Sequence, residues 1–239
     1  MFSQLFNLVI YQPLYNILIF LYNVVPGHDF GVSIIIITAI IRLVLWPLSN
    51  KSIQGQKSMQ GLQPKIKALK EQYKGDKQKL AQATMELYKQ EKVSPFSSCL
   101  PLLIQLPFLI GFYWVLSAGL KSQNMEVLYP FVQNPGAIKT VSFGFLELSR
   151  ANWILAVFAG AAQYWQAKML PTQKPVIKSD GSKDEDMMAT MNKQMIYMMP
   201  VMTVIIGGTL PAGLTLYWLV TTLLTGLQQM IVFKKKNNP

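Results

Sequence analysis

One cysteine and one histidine stand in a chain of 239 residues. With Cys99 alone there is no internal disulfide and no paired-cysteine metal site. With His28 alone, in a loop-like PGHDF, there is almost nothing from which to build a histidine metal site or a Ser-His-Asp relay. Acidic residues are scarce too, 11 against 22 Lys and Arg. Charged residues make up only 14% of the chain and hydrophobic ones 51%, too apolar for an ordinary soluble domain. The net charge of +11 is also uneven: the positives cluster between apolar stretches, which points to membrane topology ahead of nucleic acid.

Five stretches read as membrane spans, residues 31–48, 99–120, 153–169, 195–210 and 214–233, giving an all-α polytopic fold. Pro101 and Pro107 in the second are tolerated in a membrane helix. The tight GGTLPAG between the last two makes them an antiparallel hairpin. Lysines orient the bundle. Residues 50–98 carry ten, residues 121–150 carry two with one arginine, residues 168–193 carry five, and the tail adds Lys234, Lys235 and Lys236. Lysine-rich segments face the cytoplasm, so the first span runs outside to inside and the C-terminus is cytoplasmic.

Two segments are amphipathic. In residues 1–29, Gln12, Asn16 and Asn23 share a helical face flanked by Tyr11, Tyr15 and Tyr22. That pattern suits a helix lying in the membrane interface, with a sixth span as the alternative. No basic n-region or small-residue cleavage site marks a cleaved signal. In residues 52–92, Met59, Leu62, Ile66, Leu69 and Tyr73 recur at three and four residues, YKGDK breaks the pattern, and Leu80, Ala83, Leu87 and Tyr88 resume it. This predicts a cytoplasmic helical hairpin, either a solvated coiled pair or a docking arm. The polar TQKPVIKSDGSKDEDMM (172–188) reads as a flexible loop.

Catalytic groups are missing where a membrane enzyme or pump would need them. No Asp or Glu lies in the five spans, so a proton-coupled transporter has no intramembrane carboxylate. Ser97, Ser98 and Ser117 have no histidine to serve as base. Asp184–Asp186 is a solvated charge run, not a metal site. Neither an enzyme nor a cofactor-dependent protein is expected, and the work is physical.

What is present is a set of polar groups in apolar surroundings. Thr38 and Arg42 are spaced i, i+4 on one face of the first span; Gln105 lies in the second, Gln163 and Gln166 in the third, Tyr217 and Trp218 early in the fifth. Turned inward together they line a hydrated cavity. The plainer alternatives are helix-to-helix hydrogen bonds for the glutamines, an aromatic belt for Tyr217 and Trp218, and a bond to its own backbone for Thr38. Arg42 is the hardest to explain plainly, since a charge near the centre of a membrane helix costs roughly 2.5–3.5 kcal/mol. Water inside the membrane is the least costly place for it. Seven methionines between Met187 and Met202 read as packing, or as an adaptable surface for unrelated apolar clients.

SIIIITAIIRLVLWPL, MQGLQPKIKALKEQYKGDKQKL, MELYKQEKVSPFSSCLPLLIQLPFLIGFYW and LPAGLTLYWLVTTLLTGLQQMIVF resemble the YidC/Oxa/Alb family of membrane protein insertases, over essentially the whole chain. The resemblance implies a first span at 30–49, a cytoplasmic hairpin at 50–98, four further spans within 99–233 and a basic tail at 234–239. It also implies a groove open to cytoplasm and lipid and closed on the outer side. The groove's arginine falls on Arg42, and its other client-contact positions on Thr38, Gln105, Gln163 and Trp218. Clients would be nascent membrane proteins, released sideways into the bilayer of a bacterial plasma membrane. Lipids are implied as partners, the ribosome and a Sec-type translocon are candidate partners, and no nucleic acid is recognised directly. The sequence departs from the family pattern in having no large extracytoplasmic domain, no lipid-attachment cysteine near its start, and only KKKNNP after Phe233. A small anion channel or transporter is the rival reading; the apolar ends GFYWVL and LPAGL argue against a through-pathway.

Overall fold

A computed structural model describes residues 2–94, 100–119, 125–169 and 194–235. The readings for residues 172–188, for Ser97, Ser98 and Cys99, for Met187, Met188 and Met191, and for residues 236–239 lie outside the described residues. The chain is mostly helical, and it divides into two units: Met1–Val44 with Pro107–Leu227, and Leu45–Leu106 with Gln228–Pro239.

The first unit opens with α1 (Phe2–Phe6), a π-helical turn (Asn7–Tyr11) and α2 (Gln12–Val24). One side of α2 is enclosed: Tyr15, Leu18 and Ile19 are inaccessible to solvent, in one cluster with Phe30, Ile34, Ile37, Phe112 and Leu148, while Ile17, Phe20 and Val24 stay exposed. The polar face of α2 is occupied as well. The Asn16 amide donates to the Val127 carbonyl (3.1 Å) and accepts from the Tyr129 N–H (2.6 Å); the Asn23 amide donates to the Gln133 carbonyl (2.7 Å). The stripe read from sequence as suited to a membrane interface satisfies backbone groups of the segment 127–133. Residues Gln4–Val24 are also long and apolar enough to cross a membrane.

α3 (Phe30–Val44) begins at an Asp N-cap, whose Oδ1 accepts from the N–H groups of Gly31 (2.9 Å) and Val32 (3.0 Å). It stops at Val44, short of the expected boundary at 48. A new helix, α4 (Trp46–Gly61), starts around Pro47, because proline supplies no N–H to a continuing helix. α8 (Trp153–Met169) matches its expected span, and α9 (Met199–Gly207) follows a π-helical turn at Gln194–Met198. α10 (Ala212–Lys235) is the longest helix among the described residues. α8 and α9 pack closely at Gly160, where a β-carbon would collide with Val204 and the Pro200 carbonyl. Ile154, Val157, Phe158, Val201 and Ile205 stay exposed on the two helices, as suits contact with lipid. By length and composition Gln4–Val24 and Ala212–Lys234 qualify as membrane spans, and the broken pair Phe30–Val44 with Trp46–Gln72 brings the number to as many as three. Gln105–Ala118 and Ile196–Gly207 are shorter apolar helices.

A hairpin not expected from sequence lies between α7 (Leu100–Gly119) and α8. β1 (Val141–Ser142) pairs antiparallel with β2 (Leu146–Glu147), Val141 opposite Glu147 and Ser142 opposite Leu146. Asp29 holds it to the start of α3: its carboxylate accepts from the Ser142 hydroxyl and from the Phe143 N–H (2.7 Å). Gly31 makes the approach possible, because any β-carbon there would run into the Ser142 side chain. Past the hairpin, the Leu148 and Arg150 carbonyls accept from the N–H groups of Gly213 (3.0 Å) and Ala212 (2.8 Å), tying it to the first turn of α10.

In the second unit, α5 (Gln63–Gln72) and α6 (Lys77–Gln90) are joined by a turn in which Gly75 has φ +97° and Asp76 caps α6 through the Lys79 N–H (3.0 Å). Pro64 divides α5 from α4, so the expected two helices are three. Leu62 and Ile66 of the apolar stripe are buried, while Met59, Leu69 and Tyr73 are half-buried. Gln228, at the end of α10, donates to the Asn50 side chain (2.7 Å) and the Trp46 carbonyl (3.2 Å).

Candidate functional site

Thr38 and Arg42 sit one turn apart on α3. Thr38 is buried and its hydroxyl donates to the Ile34 carbonyl (2.6 Å), satisfying itself within its own helix. Arg42 is half-buried in the last turn, close enough to Tyr217 of α10 for the two to interact electrostatically. Tyr217 is itself buried and stacked on Phe112, ring centroids 4.0 Å apart and planes at 21°. That stack fixes the phenol that accompanies the guanidinium. Trp218 is half-buried beside it in the chain. One turn further along α10, the Thr221 hydroxyl is buried and has no hydrogen-bond partner among the described residues. A buried hydroxyl of that kind calls for water. Thr221 was missed in the sequence, although its i+4 spacing from Tyr217 could have found it.

Gln163 bonds a neighbouring helix, and Gln105 belongs to the second unit. On α8, the Gln163 side chain accepts a hydrogen bond from the Thr203 hydroxyl of α9. Gln105 is half-buried on α7. The structure therefore associates Arg42, Tyr217 and their helix neighbours, and gives Gln163 a separate partner. A cleft of about 300 Å³ opens between α8 and α10, lined by Phe158, Ala161, Ala162, Trp165, Leu219 and Leu223. It is apolar and contains none of the five candidates. Trp165 reaches α10 there because Gly226 has no side chain to block it.

Asp29 is the other polar centre the sequence reading missed, although an Asp directly before an apolar run is an N-cap signal. Burial works against its ionised form, but the Ser142 hydroxyl and the N–H groups of Phe143, Val32 and Gly31 outweigh it and hold the carboxyl below the usual carboxylate range. Among the described residues no cluster of His, Cys, Asp and Glu could hold a metal ion.

These features define a membrane-embedded helical protein with a cation set against a buried aromatic pair. The family model described as "60Kd inner membrane protein" matches residues 20–239. The chain belongs to that family, the family of the YidC insertases. It is 34% identical over 228 residues to a "Membrane protein insertase YidC" of Fusobacterium nucleatum, covering 95% of this chain and 98% of that one. It is 36% identical over 219 residues to a "Membrane protein insertase YidC 1" of Listeria monocytogenes, 89% of this chain and 66% of the other. It is 34% identical over 224 residues to a "Membrane protein insertase YidC" of Tolumonas auensis, 94% of this chain but 36% of the other, a longer protein.

Proposed function

We propose that this protein is a membrane insertase that receives client membrane proteins in a hydrated, positively charged groove open to cytoplasm and lipid, and releases them sideways into the bilayer. The observation that carries the reading is Arg42, a permanent cation half-buried at the end of an apolar helix beside Tyr217, in a chain whose relatives bear the insertase name. The charge attracts acidic residues in the leading segment of a client. A hydrated groove shortens the apolar distance that segment must cross, and the client's own apolar area drives its helix into lipid. The reading includes five spans, a cytoplasmic C-terminus in a bacterial plasma membrane, and residues 1–29 as an interfacial helix. Thr38, Gln105, Gln163 and Trp218 contact clients in it, residues 50–98 dock partners, and the ribosome and a Sec-type translocon are candidates for that role. No cofactor is required. The small anion channel has no observation in its favour.

Insertion of matched clients, with and without acidic leading residues, tests the reading. Arg42→Lys should preserve most activity, since the demand is for charge more than for a bidentate fork. Arg42→Ala should impair the acidic clients selectively. Equal loss for both client types would reject charge attraction, and loss of the folded protein would make Arg42 structural.

A further inference from the structure

The β1–β2 hairpin presents two unlike faces. Ser142 and Leu146, directly opposite each other, are buried, and Leu148 follows them inward. The tip is the reverse: Phe145 is 83% exposed and Phe143 43%. Phe143 also has φ +55°, a left-handed backbone that turn chemistry normally assigns to Gly or Asn and that is an outlier for a bulky residue. Gly144 follows at φ +80°, and the Phe145 N–H closes the turn onto the Ser142 carbonyl (3.2 Å). Phe145 is thus held outward, and Phe143, in a disfavoured conformation, is exposed beside it with one ring edge near Gly31, on a tip that Asp29 fixes at two points.

The height of the tip identifies what it meets. Asp29 begins α3, while Leu148 and Arg150 bond the first turn of α10. Residue 151 forms a bridge with Pro211, and two residues on, α8 starts with Trp153 and Ile154, 57% and 72% exposed. Three apolar helices begin at one level, with an outward tryptophan marking it, as at a membrane–water boundary. The same segment carries exposed Lys139 and Arg150, suited to lipid phosphates. We infer that the tip Phe143-Gly144-Phe145 is an aromatic anchor that enters the outer leaflet at headgroup depth. The inference rests on the membrane-spanning reading above.

The test places an environment-sensitive fluorophore on a single cysteine at Phe145, in a Cys99→Ser background, with the full chain in liposomes. Labels at Phe158, exposed on α8, and at Gln82, exposed on α6, serve as bilayer and aqueous references. The expected result at Phe145 is blue-shifted emission, quenching by lipids brominated near the top of their acyl chains, and little quenching by iodide. Behaviour like that of Gln82 would overturn the anchor, since the tip would then sit in water. Protection from both quenchers would overturn it in favour of a contact with another protein copy. If Phe158 itself escapes bromolipid quenching, the spanning reading fails, and that outcome is separate from failure of the anchor.

Discussion

Replacing Asp29 by alanine removes one carboxylate that serves two elements. At α3 it deprives Gly31 and Val32 of their cap, a loss of about 1 kcal/mol. At the hairpin it strands the Ser142 hydroxyl, which has no solvent exposure, at about 1–3 kcal/mol. The Phe143 N–H is exposed and can turn to water, so it adds little. The sum is about 2–4 kcal/mol, or a fall of roughly 5–15 °C in the unfolding midpoint of a chain this size. Asp29→Asn keeps a cap for α3 but opposes its amide N–H to that of Phe143, so an intermediate loss is expected. The acid side gives a second reading of the same contact. Because the folded carboxyl titrates below its unfolded value, the stabilisation is complete above the unfolded pKa of about 3.9 and is lost as pH falls through the lower folded value. The gap between wild type and Asp29→Ala should therefore be constant at neutral pH and close below about pH 4. Thermal unfolding in detergent, followed by tryptophan fluorescence across pH, measures both. An Asp29→Ala variant within about 0.5 kcal/mol of wild type at pH 7 would refute the reasoning.

Gly31→Ala should cost about 1–3 kcal/mol in the same assay by pushing Ser142 off Asp29, and combined with Asp29→Ala it should add much less than its single effect. Gln163→Leu and Thr203→Val should each destabilise, with a coupling of about 0.6–1.7 kcal/mol in a double-mutant cycle; strictly additive losses would return Gln163 to the groove. Deleting residues 56–88 should leave a membrane-integrated protein that inserts clients poorly, and undiminished insertion would make the α5–α6 pair a passive connector.

Strongly periodic or uniformly apolar segments were legible. α8 runs over the residues expected, α10 differs by two at each end, and the YKGDK break is a capped turn because Gly75 and Asp76 carry the local chemistry for one. Boundaries set by proline were misjudged. Pro47 and Pro64 sit inside stretches whose hydrophobic pattern continues without interruption, and periodicity does not register a missing N–H. The hairpin escaped because its strands are two residues each, and its alternation of buried and exposed side chains is too brief to stand out. At the site, Arg42 stands out in the sequence by electrostatic cost alone, and what the structure adds is its half-buried place beside Tyr217. The destinations of Thr38 and Gln163 were not legible, since an amide in an apolar helix is equally suited to a groove and to a neighbouring helix until that neighbour's position is known.

The polar face of α2 also sets a clock. Asn16 is separated by 113 residues from Tyr129, the N–H it accepts. At about 5–20 residues per second of synthesis, roughly 6–20 s pass between the appearance of the amide and that of its partner. During that interval the Asn16 amide can donate within its own helix to the Gln12 carbonyl (2.8 Å), while its oxygen and the Gln12 and Asn23 amides lack their partners at residues 127–133. The bonds that tie α2 to residues 127–133 therefore form only after that later segment has been made. A nascent chain halted before residue 125 should hold that helix loosely, and one that has passed residue 133 should hold it fast.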